Sequence, residues 1–335
     1  MKQSDLPHQM SSYFLDHLIK DKGLSDNTVL SRKEAFSQLF CYLEGSCGIK
    51  LTKLEIADMT AERISGFLDW LERERGCCIA TRNLRLSAIK TFFAFIQPKL
   101  PEYMALCRSV LAIPAKSTPK TIVNYLTLVE IEALLGAIDT SSTQGFRDLV
   151  MLSVLYDSGA RVQELIDLEY PDIRLGATPC IFLLGKGNKR RCVSIMDNTA
   201  VLLKRYIDMP GKETRNGGPL FCNRSHRKLT RAGVCHILQK HVQVAKEAHA
   251  GLFLDKVTPH VVRHSKAVHM LQAGVPLIYI RDFLGHVQIT TTEVYARCDS
   301  TAVREAIAAT NGITIDAEEP RWQRDSSLMG WLSSL

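Results

Sequence analysis

TPHVVRHSKAVHMLQAGVPLIYIRDFLGHVQITTTEVYAR, from Thr258 to Arg297, is the stretch on which the reading of this chain turns. It gathers His260, Arg263, His264, His269, Arg281, His286, Tyr295 and Arg297 within helical pattern and short loops. An apolar helix face has no use for so many imidazoles and guanidiniums, whereas a site that holds a phosphate does. A phosphodiester carries one negative charge, and in-line attack adds a second in the transition state. Without a metal, fixed cations must meet that charge, and arginine forks fit non-bridging oxygens best. His260 lies three residues before Arg263, so both can face one site from a single turn. His286 follows a glycine in L-G-H, and Tyr295 comes nine residues later. A phenol titrates near ~10 and attacks at neutral pH only with help from a base or cationic surroundings. Tyr295 therefore reads as a nucleophile and the basic groups before it as an anion cradle. His264, His269, Arg281 and Arg297 read as support or surface. Tyr279, among Ile278, Ile280, Phe283 and Leu284, reads as a core tyrosine.

Upstream, Gln144 to Tyr156 is a helix apolar on most sides that stops at Ser158-Gly159. The following A-R-V-Q-E-L-I-D-L places Arg161 at a helix start, with Glu164 one turn on. A helix start also points backbone N–H groups at anions. Ile181 to Ile195 reads IFLLGKGNKRRCVSI, two apolar runs around G-K-G-N-K, which is the chemistry of a β-hairpin. Its tip presents Lys186 and Lys189, either to stay soluble or to deliver an ammonium to a leaving oxygen.

The amino-terminal part has four helical patterns. Phe14, Leu15, Leu18 and Ile19 share a helix closed by Gly23, and Ser25 caps a second that ends at Gly45. Thr60 caps a third. In the fourth, Thr81 to Ile96, Leu84, Ala88, Phe92 and Phe95 are expected to face the core, leaving Arg82, Arg85 and Lys90 as a basic stripe. The stripe is either a solvated face or a track along a phosphate backbone. AIPAKSTPKTIVNY, from Ala112 to Tyr125, reads as an extended linker carrying Lys116 and Lys120. Thr127 and Glu130 form a T-x-x-E capping box that opens a second domain. Helices resume at 199–206 and 230–249; the latter spreads Arg231, His236, Lys240, His241 and Lys246 over its exposed side.

The 335 residues suffice for two domains, and 46% apolar with 23% charged residues is the balance of a water-soluble globular protein. A formal net charge of +7 permits nucleic-acid binding without requiring it. Ten cysteines with no C-x-x-C pair suit free thiols in a reducing compartment. Cys222, His226, Cys235, His236 and His241 match no standard zinc spacing, so no metal is expected. No apolar run is long enough for a membrane span, and a cytoplasmic location is expected.

The pieces S-G-A-R-V-Q-E-L at Ser158, G-K-G-N-K-R at Gly185, H-V-V-R-H-S at His260, L-G-H at Leu284 and T-T-E-V-Y at Thr291 resemble, in order and spacing, those of the tyrosine recombinases, the phage-integrase family. The layout is similar to that of the two-domain Xer-type enzymes, over most of residues 10–310. The resemblance implies a mainly α protein: a helical-bundle, SAM-like core-binding domain at 1–111, a linker at 112–126, and a catalytic domain at 127–312. That second domain would be mostly helical with a small β-hairpin or sheet, the fold of DNA breaking-rejoining enzymes. Thr301 to Ala309 would be a helix that docks on a neighbouring subunit, and residues 313–335, apolar at Trp322, Leu328, Met329, Trp331, Leu332 and Leu335, read as a tail that docks in cis or in trans rather than staying disordered.

By the same resemblance, Arg161 and Arg263 clamp the scissile phosphate while His260 and His286 bond its oxygens and assist proton transfer. Tyr295 forms a 3′-phosphotyrosyl link, Lys186 (with Lys189 in reserve) protonates the 5′ oxygen, and Glu164 supports the first arginine. Gln163 replaces a small residue common in the family, with no effect expected. Arg82, Arg85, Lys90, Lys116, Lys120, Arg231 and Lys240 are expected to contact double-stranded DNA, and the acting form to be a homo-tetramer. No cofactor is implied. The rival readings are a relaxing topoisomerase of the same chemistry and a DNA-binding module that does not cut. The apparent lack of a further amino-terminal arm-binding domain argues against a large phage integrase. The extended tail favours a transposon or mobile-element recombinase.

Overall fold

The structure, a computed structural model, describes residues 5–118, 123–185, 189–209, 218–253, 256–286, 288–296 and 330–331. The chain divides into two units, Met1–Lys120 and Thr121–Leu335.

The first unit is helical. Its elements are α1 (Leu6–Ser11), a wider-wound π-helical turn over Ser12–Asp21, α2 (Asp26–Gly45), α3 (Ala61–Arg73), α4 (Ile79–Ile96) and α5 (Met104–Leu111). Aromatic side chains knit the core. Tyr13 and Phe36 each meet the Phe92 ring edge-on, both at 5.3 Å between centroids. Being central, α4 buries Leu86, Ile89, Phe92, Phe93, Phe95 and Ile96, most of its circumference.

That position corrects the reading of its basic stripe. Arg82 and Arg85 are 6% and 7% exposed, held by Glu72 (3.0 Å) and Glu34 (2.8 Å) respectively. Leu84, expected inside, is exposed. A helix packed on nearly all sides has no polar stripe to give away, so its arginines are buried with carboxylates beside them. Lys90 remains half-buried. The expected linker is partly tied down, since the Lys116 ammonium reaches Glu72 at 2.8 Å and its backbone is bracketed by the Asn83 amide. Lys120 lies outside the described residues.

The second unit opens with α6 (Leu128–Gly136), whose capping box is formed as expected: Thr127 N–H donates to Glu130 at 2.7 Å, and Glu130 N–H to Thr127 Oγ1 at 3.2 Å. The helix α7 (Thr143–Ser158) runs through the core, burying Val150, Met151, Leu152, Val154 and Leu155. It ends at Gly159, whose φ of 55° is in the left-handed region. The short helix α8 (Val162–Ile166) follows.

Next comes an antiparallel sheet of β1 (Ile173–Arg174), β2 (Cys180–Leu184) and β3 (Arg190–Ser194), in that order. The hairpin matches the sequence reading, with Leu184 opposite Arg190 and Gly185 N–H donating to Lys189 O at 2.8 Å. The third strand was not foreseen, because two residues are too few to show a period. Lys186 lies outside the described residues.

The remaining helices are α9 (Asp197–Ile207), α10 (Arg231–Ala248), α11 (Pro259–Gln272), α12 (Leu277–Leu284) and α13 (Glu293–Ala296). Among the described residues a small separate core of Ala267, Val268, Ile280, Leu284 and Tyr295 joins the last three. Tyr279 does not belong to it; at 64% exposed it corrects the core expectation, and Ile278 is exposed beside it. On α10, Arg231, His236 and Lys240 are exposed as expected, but His241 is buried on Asp148 at 3.0 Å. Residues 301–309 and most of the tail lie outside the described residues.

Candidate active site

Three chain turns build the site. Arg161 is the N-cap of α8, directly after the Gly159 turn and Ala160. Its backbone N–H donates to Glu164 Oε2 (2.8 Å) and its Nη1 to Oε1 (2.7 Å). On α11, Thr258 caps the helix through Val261 N–H and Pro259 occupies the first turn. His260, Arg263 and His264 then share one face at spacings of three and four. After α12, Gly285 (φ 66°) turns the chain so that His286 follows.

Arg263 is 3% exposed, and its fork donates to Gly159 O (2.5 Å) and Leu284 O (2.7 Å), which joins the ends of α7 and α12. Arg161 Nη2 donates to Gly285 O (3.3 Å), and its side chain is about a third exposed. Both arginines converge on buried Glu164, as does Arg191, which donates from Nη1 (2.9 Å) and Nη2 (2.7 Å). Burial alone would raise the Glu164 carboxyl, but the hydrogen bonds from Arg191 and Arg161 and the Arg191 charge outweigh it and hold the pKa at about 2. Three guanidiniums against one carboxylate leave surplus positive charge where Arg161 meets solvent.

Arg191 was not among the residues singled out from sequence, although strand alternation carried the signal. It pairs with Leu183, on the face that Ile181 and Val193 bury, while Arg190 points outward. Lys189 is exposed at the hairpin tip.

The nucleophile candidate, Tyr295, is 2% exposed. Its ring stacks on His286 (6.4 Å between centroids, 18°), and its hydroxyl lies 2.8 Å from His264 Nδ1. His264, read from sequence as support or surface, thus touches the phenol oxygen. His286 Nδ1 is set by Thr292 Oγ1 at 3.0 Å. His260 is exposed at the mouth, its ring 6.4 Å from that of His264. His269 bonds the Tyr156 hydroxyl (2.9 Å), and exposed Asp282 pairs with Arg281. Arg297 lies outside the described residues.

Burial, then the nearby cations, lowers all three site imidazoles, His264 and His286 to about 4 and His260 in the same direction. His264 and His286 are neutral at pH 7. The unfolded chain protonates them near ~6.5, so the stability they contribute is complete above that pH and is lost as pH falls from 6.5 through 4. We expect the melting temperature of the protein to drop continuously across that interval in a pH series followed by circular dichroism. A melting temperature flat from pH 7 to 4 would contradict the burial of these rings.

Gly285 permits a second test. A Cβ there would sit 3.0 Å from Arg191 Nη1 on a backbone that L side chains rarely adopt. Gly285→Ala is expected to cost about 1–3 kcal/mol, read as a lower urea midpoint; an unchanged midpoint contradicts the close approach.

The phage integrase family matches residues 124–301, and the family's N-terminal SAM-like domain matches residues 12–98. A Sinorhizobium fredii protein named "Putative integrase/recombinase y4rC" is 33% identical over 334 residues, covering 100% of this chain and 99% of the relative. Tyrosine recombinase XerC of Herpetosiphon aurantiacus is 31% identical (86% of this chain, 90% of the relative), and XerD of Pseudomonas putida 30% (87% and 93%). Among solved structures, XerH recombinase bound to its palindromic difH substrate superposes with a TM-score of 0.67 at 21% identity, over 84% of this chain and 79% of that one. The fold is that of the tyrosine recombinases. The chain belongs to the phage integrase family, with the two-domain layout of its XerC and XerD relatives, and is a DNA breaking and rejoining enzyme.

Proposed function

We propose that this protein exchanges DNA strands at specific sites through a covalent tyrosyl intermediate, with Arg161, Lys186, His260, Arg263, His286 and Tyr295 as its catalytic set. The observation that carries this reading is the meeting of Tyr295, His286, His260 and two arginines from segments over a hundred residues apart. Tyr295 Oη attacks the scissile phosphorus, a 3′-phosphotyrosyl bond forms, and the P–O5′ bond breaks. Lys186, with Lys189 in reserve, protonates the departing O5′. Arg161, the more accessible guanidinium, takes the non-bridging oxygens while buried Arg263 adds charge from behind. His260 and His286 bond the same oxygens. A 5′ hydroxyl from the second site then attacks the phosphotyrosyl and releases Tyr295. The covalent link keeps the energy of the broken bond, so neither a nucleotide nor a metal enters this scheme.

Double-stranded DNA is the partner, and the acting form is a tetramer that joins two sites. A lambda integrase tetramer bound to a Holliday junction shares this fold, with a TM-score of 0.63. The helical unit 1–111 holds the core site, and exposed Arg231 and Lys240 on α10 contribute phosphate contacts. Of the DNA contacts read from sequence, Arg82 and Arg85 are best withdrawn, since their charges are already matched inside the bundle.

The test is a nicked suicide duplex that carries the footprinted site. An adduct resistant to detergent should form on the 3′ phosphate, with the modified peptide containing Tyr295. Attachment to a 5′ end, or no adduct on any footprinted site, would exclude this chemistry. Relaxation of every supercoiled plasmid regardless of sequence would instead favour a topoisomerase.

A further inference from the structure

A side chain outside the six-residue catalytic set also reaches the reacting oxygen. His264 Nδ1 stands 2.8 Å from Tyr295 Oη, one residue after Arg263 on α11. The two rings are 5.5 Å apart, and the tyrosine is 2% exposed, so the hydroxyl is held away from bulk water. His286 stacks against the same phenol ring. His260 lies one turn before His264 on the same helix face, its ring 6.4 Å away and exposed. His286 Nδ1 is already engaged by Thr292.

A phenol attacking phosphorus must lose its proton as the new bond forms. The acceptor must lie within hydrogen-bond reach of Oη and carry a free lone pair. A neutral imidazole in its Nε2–H tautomer, with Nδ1 toward the hydroxyl, meets both conditions, and burial beside Arg263 keeps His264 neutral before DNA arrives. We propose that His264 is a catalytic residue: it accepts the Tyr295 proton at Nδ1 during attack on the scissile phosphate. This rests on the assignment of Tyr295 as the nucleophile. The step balances without a further reagent. The Oη–H bond breaks and an Nδ1–H bond forms, Oη–P forms, and P–O5′ breaks with its electron pair on O5′. The imidazolium so created sits beside a phosphate that has gained negative charge in the transition state, which compensates for the guanidiniums that otherwise oppose it. In the reverse step His264 returns the proton to the departing phenol.

The arrangement also separates two proton transfers, one at the nucleophile and one at the leaving group, and a substrate can tell them apart. A 5′-bridging phosphorothiolate duplex carries sulfur in place of O5′, and the thiolate departs without protonation. Single-turnover cleavage of oxygen and sulfur substrates is measured for wild type, His264→Ala, His264→Asn and Tyr295→Phe. In His264→Asn the carboxamide oxygen stands near the former Nδ1 and can still hold the phenol, but it takes no proton. Both His264 variants should cleave at least ~100-fold more slowly than wild type with either leaving atom, at unchanged DNA affinity. Asn keeps the variant testable should Ala unfold it. Wild-type rates in His264→Asn would overturn the proposal, as would a defect that disappears on the sulfur substrate. If Tyr295→Phe still forms adduct, the nucleophile assignment itself falls. If Tyr295→Phe is inert while His264→Asn is fully active, only the role of His264 is lost.

Discussion

Tyr295→Phe should reduce covalent adduct formation on a nicked suicide duplex by at least ~10³-fold, to background, because phenylalanine offers no oxygen to phosphorus. Binding to the same duplex should stay within about twofold, since Arg161 and His260, the groups proposed to face the phosphate, keep their places. The substitution also removes the partner of His264 Nδ1. An unpaired, largely buried imidazole nitrogen costs about 1–2 kcal/mol, so a small fall in melting temperature should accompany the loss of chemistry. Gel retardation and denaturing electrophoresis on one sample separate the two effects. Normal adduct with the Phe variant would remove Tyr295 from the mechanism. Lost binding with lost adduct would place its role in structure.

Removing Glu164 should have the largest effect on stability. It is 4% exposed and is the shared partner of Arg161, Arg191 and, at 3.9 Å, Arg263. Taking one partner from a buried ionic cluster strands the others, at a cost of about 3–5 kcal/mol. Glu164→Gln keeps the shape but neutralises the charge, leaving three guanidiniums to repel each other. We expect its melting temperature to fall by roughly 10 °C, with cleavage lost in step because Arg161 no longer has its support. Arg191→Met alone should be milder, since Glu164 retains the Arg161 bonds. A Glu164→Gln protein that melts within 2 °C of wild type would mean the cluster is not what holds α8, β3 and α12 together.

Much of this site could be read in the linear chain because its parts sit in rigid local contexts. The Ser158-Gly159 stop, the helix start at Pro259 and the Leu284-Gly285-His286 turn each announce themselves through backbone chemistry. The residues beside them are thereby given an address. The hairpin and the Thr127 capping box were legible for the same reason. Where the reading failed, the deciding facts were contacts between distant segments. Arg82 and Arg85 look solvated until α2 and α3 bring Glu34 and Glu72 to them. Tyr279 sits among apolar neighbours in sequence, yet α12 turns it outward.

The sequence by itself determined the family, the mostly helical class, the nucleophile candidate and its attendant cations, since residue type and spacing suffice for those. Only the tertiary structure decided which cations share Glu164 and which histidine touches Tyr295. Arg191 reaches the cluster from a strand and His264 reaches the phenol across two helices. Helical periodicity gives a residue its direction on its own element, but not what the next element places there.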